Sequence, residues 1–334
     1  MVTFVPTTAG RLADVPAFAR TIGGAESNVA CALAAAGHRA KWVGRVGADG
    51  FGDHLVEAIG AYGVDVSAAV RDPARPTGVY FRTATDRATD GHEVLYYRAG
   101  SAASAMSPAT VPWETVGGGR ILHVSGITAA LSDDCRALMH ELLAARPGRP
   151  LVSFDVNYRS GLWRDGQGAG VLLELARGAD VVFVGADEAV EAWGLKSTGA
   201  IADALPGPGL VVVKLGAGGA IAFDRRPEAG EGLEDADGTA TLVRAPRVDA
   251  VAPVGAGDAF AAGFLSATLR GLGVKERLRH GHLMAAAALT VPGDLGVPPA
   301  RAHADRLVAL SDDAWGRLRL GPGWTGDDQE VRTP

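Results

Sequence analysis

Cysteine is almost absent: Cys31 and Cys135 are the only two in 334 residues. They form no CxxC or Cys/His set. That excludes a disulfide scaffold and a cysteine zinc site, and it points to a reducing, cytoplasmic setting. Positive charge is also short. Lys and Arg number 32 against 38 Asp and Glu, a net charge of −6, so a nucleic-acid binder working through a broad basic face is excluded. No apolar run approaches the roughly 20 residues of a membrane helix. The start, Met1 to Pro6, lacks the basic region of a signal peptide. The 8 His show no HExxH spacing, and neither GxSxG nor GxxxxGK[ST] occurs. Zinc protease, serine hydrolase and P-loop readings therefore fall away.

Glycine is plentiful, 46 residues against 18 prolines, and glycine concentrates where backbone approaches a ligand. A composition 47% hydrophobic and 21% charged is that of an ordinary globular chain. Short Val/Ile-rich runs at Ala40–Val46, Ile121–Val124, Leu151–Asp155, Val181–Val184 and Leu210–Leu215 predict strands buried on both faces. Helical windows alternate with them: Ala25–Ala36, Phe51–Tyr62, Asp133–Ala145, Gly170–Arg177, Ala186–Trp193 and Ala259–Leu269. Gly37, Gly63 and Gly194 stand where helices would end. This alternation predicts an α/β fold with a mostly parallel central sheet flanked by helices. Residues 1–320 read as one domain and 321–334 as a flexible tail. Thr77–Thr83 and His92–Arg98 alternate apolar and polar residues around the turn Thr85–Gly91, which predicts a β-hairpin lid. Arg225–Asp237 reads as a solvated loop.

Val254-Gly255-Ala256-Gly257-Asp258-Ala259-Phe260 is the strongest local signal. Small residues there let the backbone N–H groups of Gly255, Ala256, Gly257 and Asp258 converge at a helix start as an anion site. Asp258 beside them is positioned to take a proton from an attacking hydroxyl, the pairing that phosphoryl transfer needs. The plainer alternative makes Asp258 a helix cap. Gly216-Ala217-Gly218-Gly219 follows a strand; it reads either as a close approach to a nucleotide or as a tight hairpin turn. Gly24 and Asn28 open a helix and could bond sugar hydroxyls, or serve only close packing and as a cap or surface residue. Arg98 and Arg159 suggest a bound carboxylate or phosphate, against the alternative of surface ion pairs. Glu188, with Asp187, could hold Mg²⁺ through water or simply sit favourably at a helix N-terminus.

Together these segments resemble the PfkB (ribokinase-like) carbohydrate kinase family. Gly23, Gly24, Asn28, Gly37, Gly44, Gly47, Asp49 and Gly52 resemble its first signature, and Gly255 to Phe260 its second. Within the family the chain is most similar to the 2-keto-3-deoxygluconate kinases, through Tyr80, Tyr96 to Ala102, His123 to Thr128, Asp155 to Arg159, and Leu162-Trp163. The resemblance implies an ATP-dependent kinase of a keto sugar acid, acting at the 6-hydroxyl. Gly24, Asn28, Tyr80, Tyr96, Arg98, Ile127 and Arg159 would face the sugar acid, and Asp294 would lie near the active site. Asp258 would be the base and Gly255 to Asp258 the anion hole. The nucleotide would lie by Lys214, Gly216, Gly218 and Gly219, with Mg²⁺ handled by Glu188 and Asp187. The lid, about 75–100 with about 10–22, implies a homo-oligomer.

Three departures qualify the resemblance. Met1 to Pro6 resembles residues just after the family's first strand, so an inner strand is expected to be missing. Ala252 replaces the Asp of the family's monovalent-cation loop, which removes the expectation of K⁺ activation. Gly185 replaces the Asn of the family's NxxE motif, while Glu188 is kept. Two rivals stay open: a kinase of this fold for a neutral sugar or nucleoside, and a non-catalytic sugar-binding regulator. A dinucleotide oxidoreductase is the weakest alternative, because both glycine fingerprints are incomplete.

Overall fold

The apolar runs of the second half form one sheet. In the computed structural model, which describes residues 1–8, 10–83, 94–163, 166–226, 239–252 and 254–326, twelve strands carry the architecture. They are β1 (Val2–Pro6), β2 (Phe18–Ile22), β3 (Gly44–Gly47), β4 (Ala69–Asp72), β5 (Val79–Arg82), β6 (Val94–Tyr97), β7 (Ile121–Ser125), β8 (Leu151–Asp155), β9 (Val181–Gly185), β10 (Leu210–Lys214), β11 (Ala220–Asp224) and β12 (Thr239–Val243). The longer helices are α1 (Ala25–Ala35), α2 (Gly50–Ala61), α3 (Asp133–Leu143), α4 (Gly168–Arg177), α5 (Ala186–Trp193), α6 (Ala256–Leu269) and α7 (Val274–Leu289).

The central sheet runs β12-β11-β10-β9-β8-β7. Strands β7 to β10 are parallel and β11 and β12 antiparallel. Val182, Phe183, Val184, Val211, Val212 and Val213 are all fully buried, as continuous apolar strands covered by helices must be. One face packs on α6 and α7, where Phe183 meets Phe264 edge-on at 5.3 Å. The other packs on α3 and α4.

A second sheet, β2-β1-β5-β6, lies apart from the first. Its β5–β6 pair is the expected hairpin, and the turn Thr85–Gly91 lies outside the described residues. The N-terminal residues add β1, parallel to β5 and antiparallel to β2. Strands β3 and β4 form a separate parallel pair, so Ala40–Val46 is an isolated bridge at Lys41 followed by a short strand. Among the described residues β7 pairs only with β8, and β3 only with β4.

Other expectations shift. Gly37, Gly63 and Gly194 end their helices at φ of 88°, 85° and 69°, the left-handed conformation that glycine tolerates. The tail is not frayed from Gly321: Trp324 is 3% exposed, with its ring 6.2 Å from His303. Burial of that indole orders the chain to Gly326, and 327–334 lie outside the described residues. Residues 227–237 of the expected solvated loop lie outside them too.

Candidate active site

The site begins where α6 begins. Gly255 is left-handed at φ 72°, and a Cβ there would meet the Asp294 carbonyl oxygen at 2.1 Å. Only glycine permits that approach, and it starts the helix three residues earlier than the apolar pattern suggests. The first helical pairing is Ala259 N–H to the Gly255 carbonyl at 2.9 Å. The amides of Gly255, Ala256, Gly257 and Asp258 are therefore left free by helix geometry. Asp258 is not the cap, since Gly255 holds that position and no side chain caps the helix. Its Oδ2 instead accepts from Asn28 Nδ2 at 2.8 Å. Burial pushes the Asp258 pKa up to about 7, against the Asn28 bond, which lowers it. A carboxylate tuned to that value suits a general base at neutral pH.

The carboxyl ends of β8, β9 and β10 supply the neighbouring charges. Lys214 Nζ donates to both oxygens of Asp155 at 3.0 Å. Arg159 Nη1 donates to the Tyr158 carbonyl at 2.7 Å and to Glu188 Oε1 at 3.4 Å. Glu188 Oε2 accepts from Gly185 N–H at 3.2 Å, closing the first turn of α5. His123 shares 3.0 Å with Ser153 Oγ, and burial lowers its pKa to about 4, so the ring is neutral. Asn157 is the one non-glycine residue with positive φ, 45°, among the described residues, and its Oδ1 is buried without a partner. Such strain is characteristic of ligand sites.

The second sheet faces these groups. Tyr80 donates its hydroxyl to Asp294 Oδ2 at 2.9 Å. Arg82 Nη2 stands 3.1 Å from Asp294 Oδ1 and donates to the Pro292 carbonyl at 3.2 Å. Asp294 thus ties the second sheet to the start of α6. Arg98 follows β6. Its guanidinium is desolvated, which lowers its pKa, and its Nε has no partner. Glu26, whose Oε1 accepts from Thr128 Oγ1 at 2.5 Å, is the acid that most opposes that lowering.

The pfkB family carbohydrate kinase profile matches residues 1–300. The chain belongs to the pfkB carbohydrate kinase family. It is a sugar kinase, a phosphotransferase. It is 34% identical over 90% of both chains to 2-dehydro-3-deoxygluconokinase of Bacillus subtilis. It is 32% identical to the enzyme of the same name from Thermoproteus tenax, over 90% of this chain and 89% of that one. The crystal structure of a PfkB protein from Polaromonas sp. JS666 superposes with a TM-score of 0.77 at 34% identity, covering 92% of this chain and 96% of that one. The ribokinase-like fold is thereby shown.

In this pfkB kinase a cleft of about 1920 Å³ gathers most of the expected site residues. Gly24, Asn28, Tyr80, Tyr96, Arg98, Ile127, Arg159, Lys214, Gly255, Ala256, Gly257, Asp258, Asp294, Asp187 and Glu188 all line it. Gly216, Gly218 and Gly219 do not. They form the turn between antiparallel β10 and β11, the hairpin alternative. Gly219, at φ 116°, passes so close that a Cβ would meet the Val243 carbonyl oxygen at 2.2 Å. Ala252 is buried, its amide directed to the Leu289 carbonyl at 3.3 Å, and its side chain offers no ligand to a cation.

The two arginines have different charged neighbours, Glu26 for Arg98 and Glu188 with Asp155 for Arg159. Residues given no site role from the sequence are Glu26, Arg82, Asp155 and Asn157. Asp155 and Asn157 carried a usable signal, being polar residues at the carboxyl end of an apolar strand. Among the described residues no group of three or more His, Cys, Asp or Glu could hold a metal. A Mg²⁺ that keeps most of its water needs only one or two carboxylates besides phosphate, and the cleft-lining pair Glu188 and Asp187 fits that requirement.

Proposed function

We propose that this kinase transfers the γ-phosphoryl group of ATP to the 6-hydroxyl of 2-keto-3-deoxygluconate or a close keto sugar acid. The observation that carries the reading is Asp258: a buried carboxylate with a pKa near 7, in the first turn of a helix whose leading amides are free. Asp258 takes the hydroxyl proton as the oxygen attacks phosphorus. The amides of Gly255, Ala256, Gly257 and Asp258 stabilise the charge that develops. Asn28 holds the base in place. When bound, Mg²⁺ would neutralise phosphate charge, held through water by Glu188 and Asp187.

A sugar acid carries a carboxylate that a neutral sugar lacks, and Arg98 with Arg159 answers it. Arg98 Nε is buried and unpartnered, a donor with desolvation already incurred. The remaining sugar contacts fall to Gly24, Tyr96 and Ile127. Tyr80 and Asp294 are joined to each other and brace the site. The nucleotide runs from Lys214 towards the turn at Gly216, Gly218 and Gly219. The second sheet acts as a lid that excludes water and so suppresses ATP hydrolysis.

The lid's outer face supports a homodimer. Phe4, Phe81, Leu95 and Tyr97 share that face by register. Leu95 is 41% and Tyr97 63% exposed, an apolar surface of the kind that seeks a partner.

The test is release of ADP from Mg-ATP with 2-keto-3-deoxygluconate, 2-ketogluconate, fructose, ribose and adenosine in parallel. Turnover confined to the keto acids is the expected result. Turnover on fructose or ribose would overturn the substrate assignment and leave Asp258 as base. Turnover on none would leave the sugar-binding regulator as the better reading.

A further inference from the structure

Lys214 ends β10 and Asp155 ends β8, with β9 between them. Both oxygens of Asp155 accept from Lys214 Nζ at 3.0 Å. The side chains are 3% and 17% exposed respectively. A buried ion pair is a poor source of stability, because desolvating two charges offsets most of their attraction. Its position suggests another use. The Lys214 ammonium lies 3.5 Å from the point a Cβ on Gly257 would occupy, so it adjoins the free amides at the head of α6. An ammonium has three N–H donors. Asp155 takes two, and among the described residues no other acceptor is hydrogen-bonded to it. Asp155, Glu188 and Asp258 all act to keep it protonated.

We propose that Lys214 is the cation that meets the phosphoryl group in transfer, and that Asp155 is the positioning residue that aims it. This rests on the kinase reading above and goes further than placing Lys214 by the nucleotide. As the acceptor oxygen bonds to the γ-phosphorus, the bond from that phosphorus to the β–γ bridging oxygen breaks. The bond's electron pair leaves with ADP, and the hydroxyl proton passes to Asp258. Lys214 keeps its protons and offsets charge on the phosphoryl oxygens beside the Gly255–Asp258 amides. Fixed charge aimed at the transition state acts on kcat more than on ground-state binding.

The experiment compares wild type, Lys214→Met, Lys214→Arg, Asp155→Asn and the double variant Lys214→Met/Asp155→Asn. Turnover is measured with Mg-ATP and whichever acceptor the wild type uses, and ATP affinity by titration calorimetry. Lys214→Met should lower kcat by about 10²–10³ while the Kd for ATP stays within about threefold. Lys214→Arg, which keeps the charge, should recover part of the loss. Asp155→Asn should lower kcat in the wild-type background and change little further once Lys214 is Met, because an aiming residue has nothing left to aim.

Lys214→Met strands a buried carboxylate and can cost folding. The double variant strands no charge and should show the same kcat loss with a near-normal melting temperature. A Lys214→Met or double-variant kcat within about fivefold of wild type would overturn the proposal, as would a loss confined to ATP affinity. Additive losses from the two single changes would deny Asp155 its aiming role. A wild type inactive on every acceptor would instead bring down the kinase reading itself.

Discussion

The two sheets solve different problems. The central sheet is apolar through its strands and presents charge only at its carboxyl ends, where Asp155, Lys214 and Glu188 gather beside the head of α6. Asp155 is buried and paired with half-buried Lys214, while Glu188 is paired with Arg159 and accepts from the Gly185 amide. The second sheet has short, mixed strands, an outer face that exposes Leu95 and Tyr97, and an inner face of Tyr80, Arg82 and Tyr96. A rigid floor suits chemistry that must be held to a fraction of an ångström. A thin sheet suits recognition and closure. They meet at Asp294, which is bonded to Tyr80, close to Arg82 and pressed against Gly255.

The floor is where the largest loss is expected. Asp258→Asn should cut kcat by about 10³, within the 10²–10⁴ range of general bases, while both substrates still bind in calorimetry. Unchanged turnover would remove Asp258 as base. The same group sets the pH profile. Burial disfavours its charged form, so the base is available only above about 7. The kcat/KM should rise with pH and level off past neutrality. By linkage the raised pKa also means that stability falls as pH climbs from the ordinary carboxylate value of 3.8 to about 7 and changes little through this group above that.

The bridge comes next. Asp294→Ala leaves buried Arg82 unpaired, which should cost about 3–5 kcal/mol of stability, read from chemical denaturation. A variant as stable as wild type would show that the sheets do not depend on this link. Arg98→Ala probes the lid side alone. Losing a charge-assisted bond of about 1.5–3 kcal/mol should raise the KM for the sugar acid about 10–100-fold and leave the KM for ATP alone. Arg159→Ala sharpens the contrast: an effect on the sugar acid joins it to Arg98, and an effect on ATP assigns it to the floor. The smallest effect is expected from Tyr97→Glu on the outer face, which should shift sedimentation from dimer to monomer with turnover within about threefold.

The floor was largely legible in the sequence. Four of the five Val/Ile-rich runs became strands of the central sheet, as short apolar runs bounded by turn residues predict, and Gly255 to Asp258 declares a helix head with a carboxylate. The second sheet was half legible. β5 alternates between half-buried and buried residues and β6 is largely exposed, whereas the β1–β2 hairpin has no strong period, its burial running in blocks. Helix α7 went unread for the opposite reason. His280, His282 and Arg279 are buried in it, so its polar residues do not mark a wet face. Their partners are Arg270 and Asp305, the Val243 carbonyl, and the carbonyls of Val308 and Leu310 with Asp312.

Composition and local pattern by themselves determined the α/β class and the glycine-rich helix head with Asp258, the carboxylate we propose as base, because helix geometry and apolar burial act over a few residues. Tertiary structure decided how that base is tuned and braced. Asn28 reaches Asp258 across 230 positions, Tyr80 reaches Asp294 across 214, and Lys214 reaches Asp155 across 59. Such pairs leave no periodic trace, since a hydrogen bond depends on where strands and helices end in space and not on the chain between them.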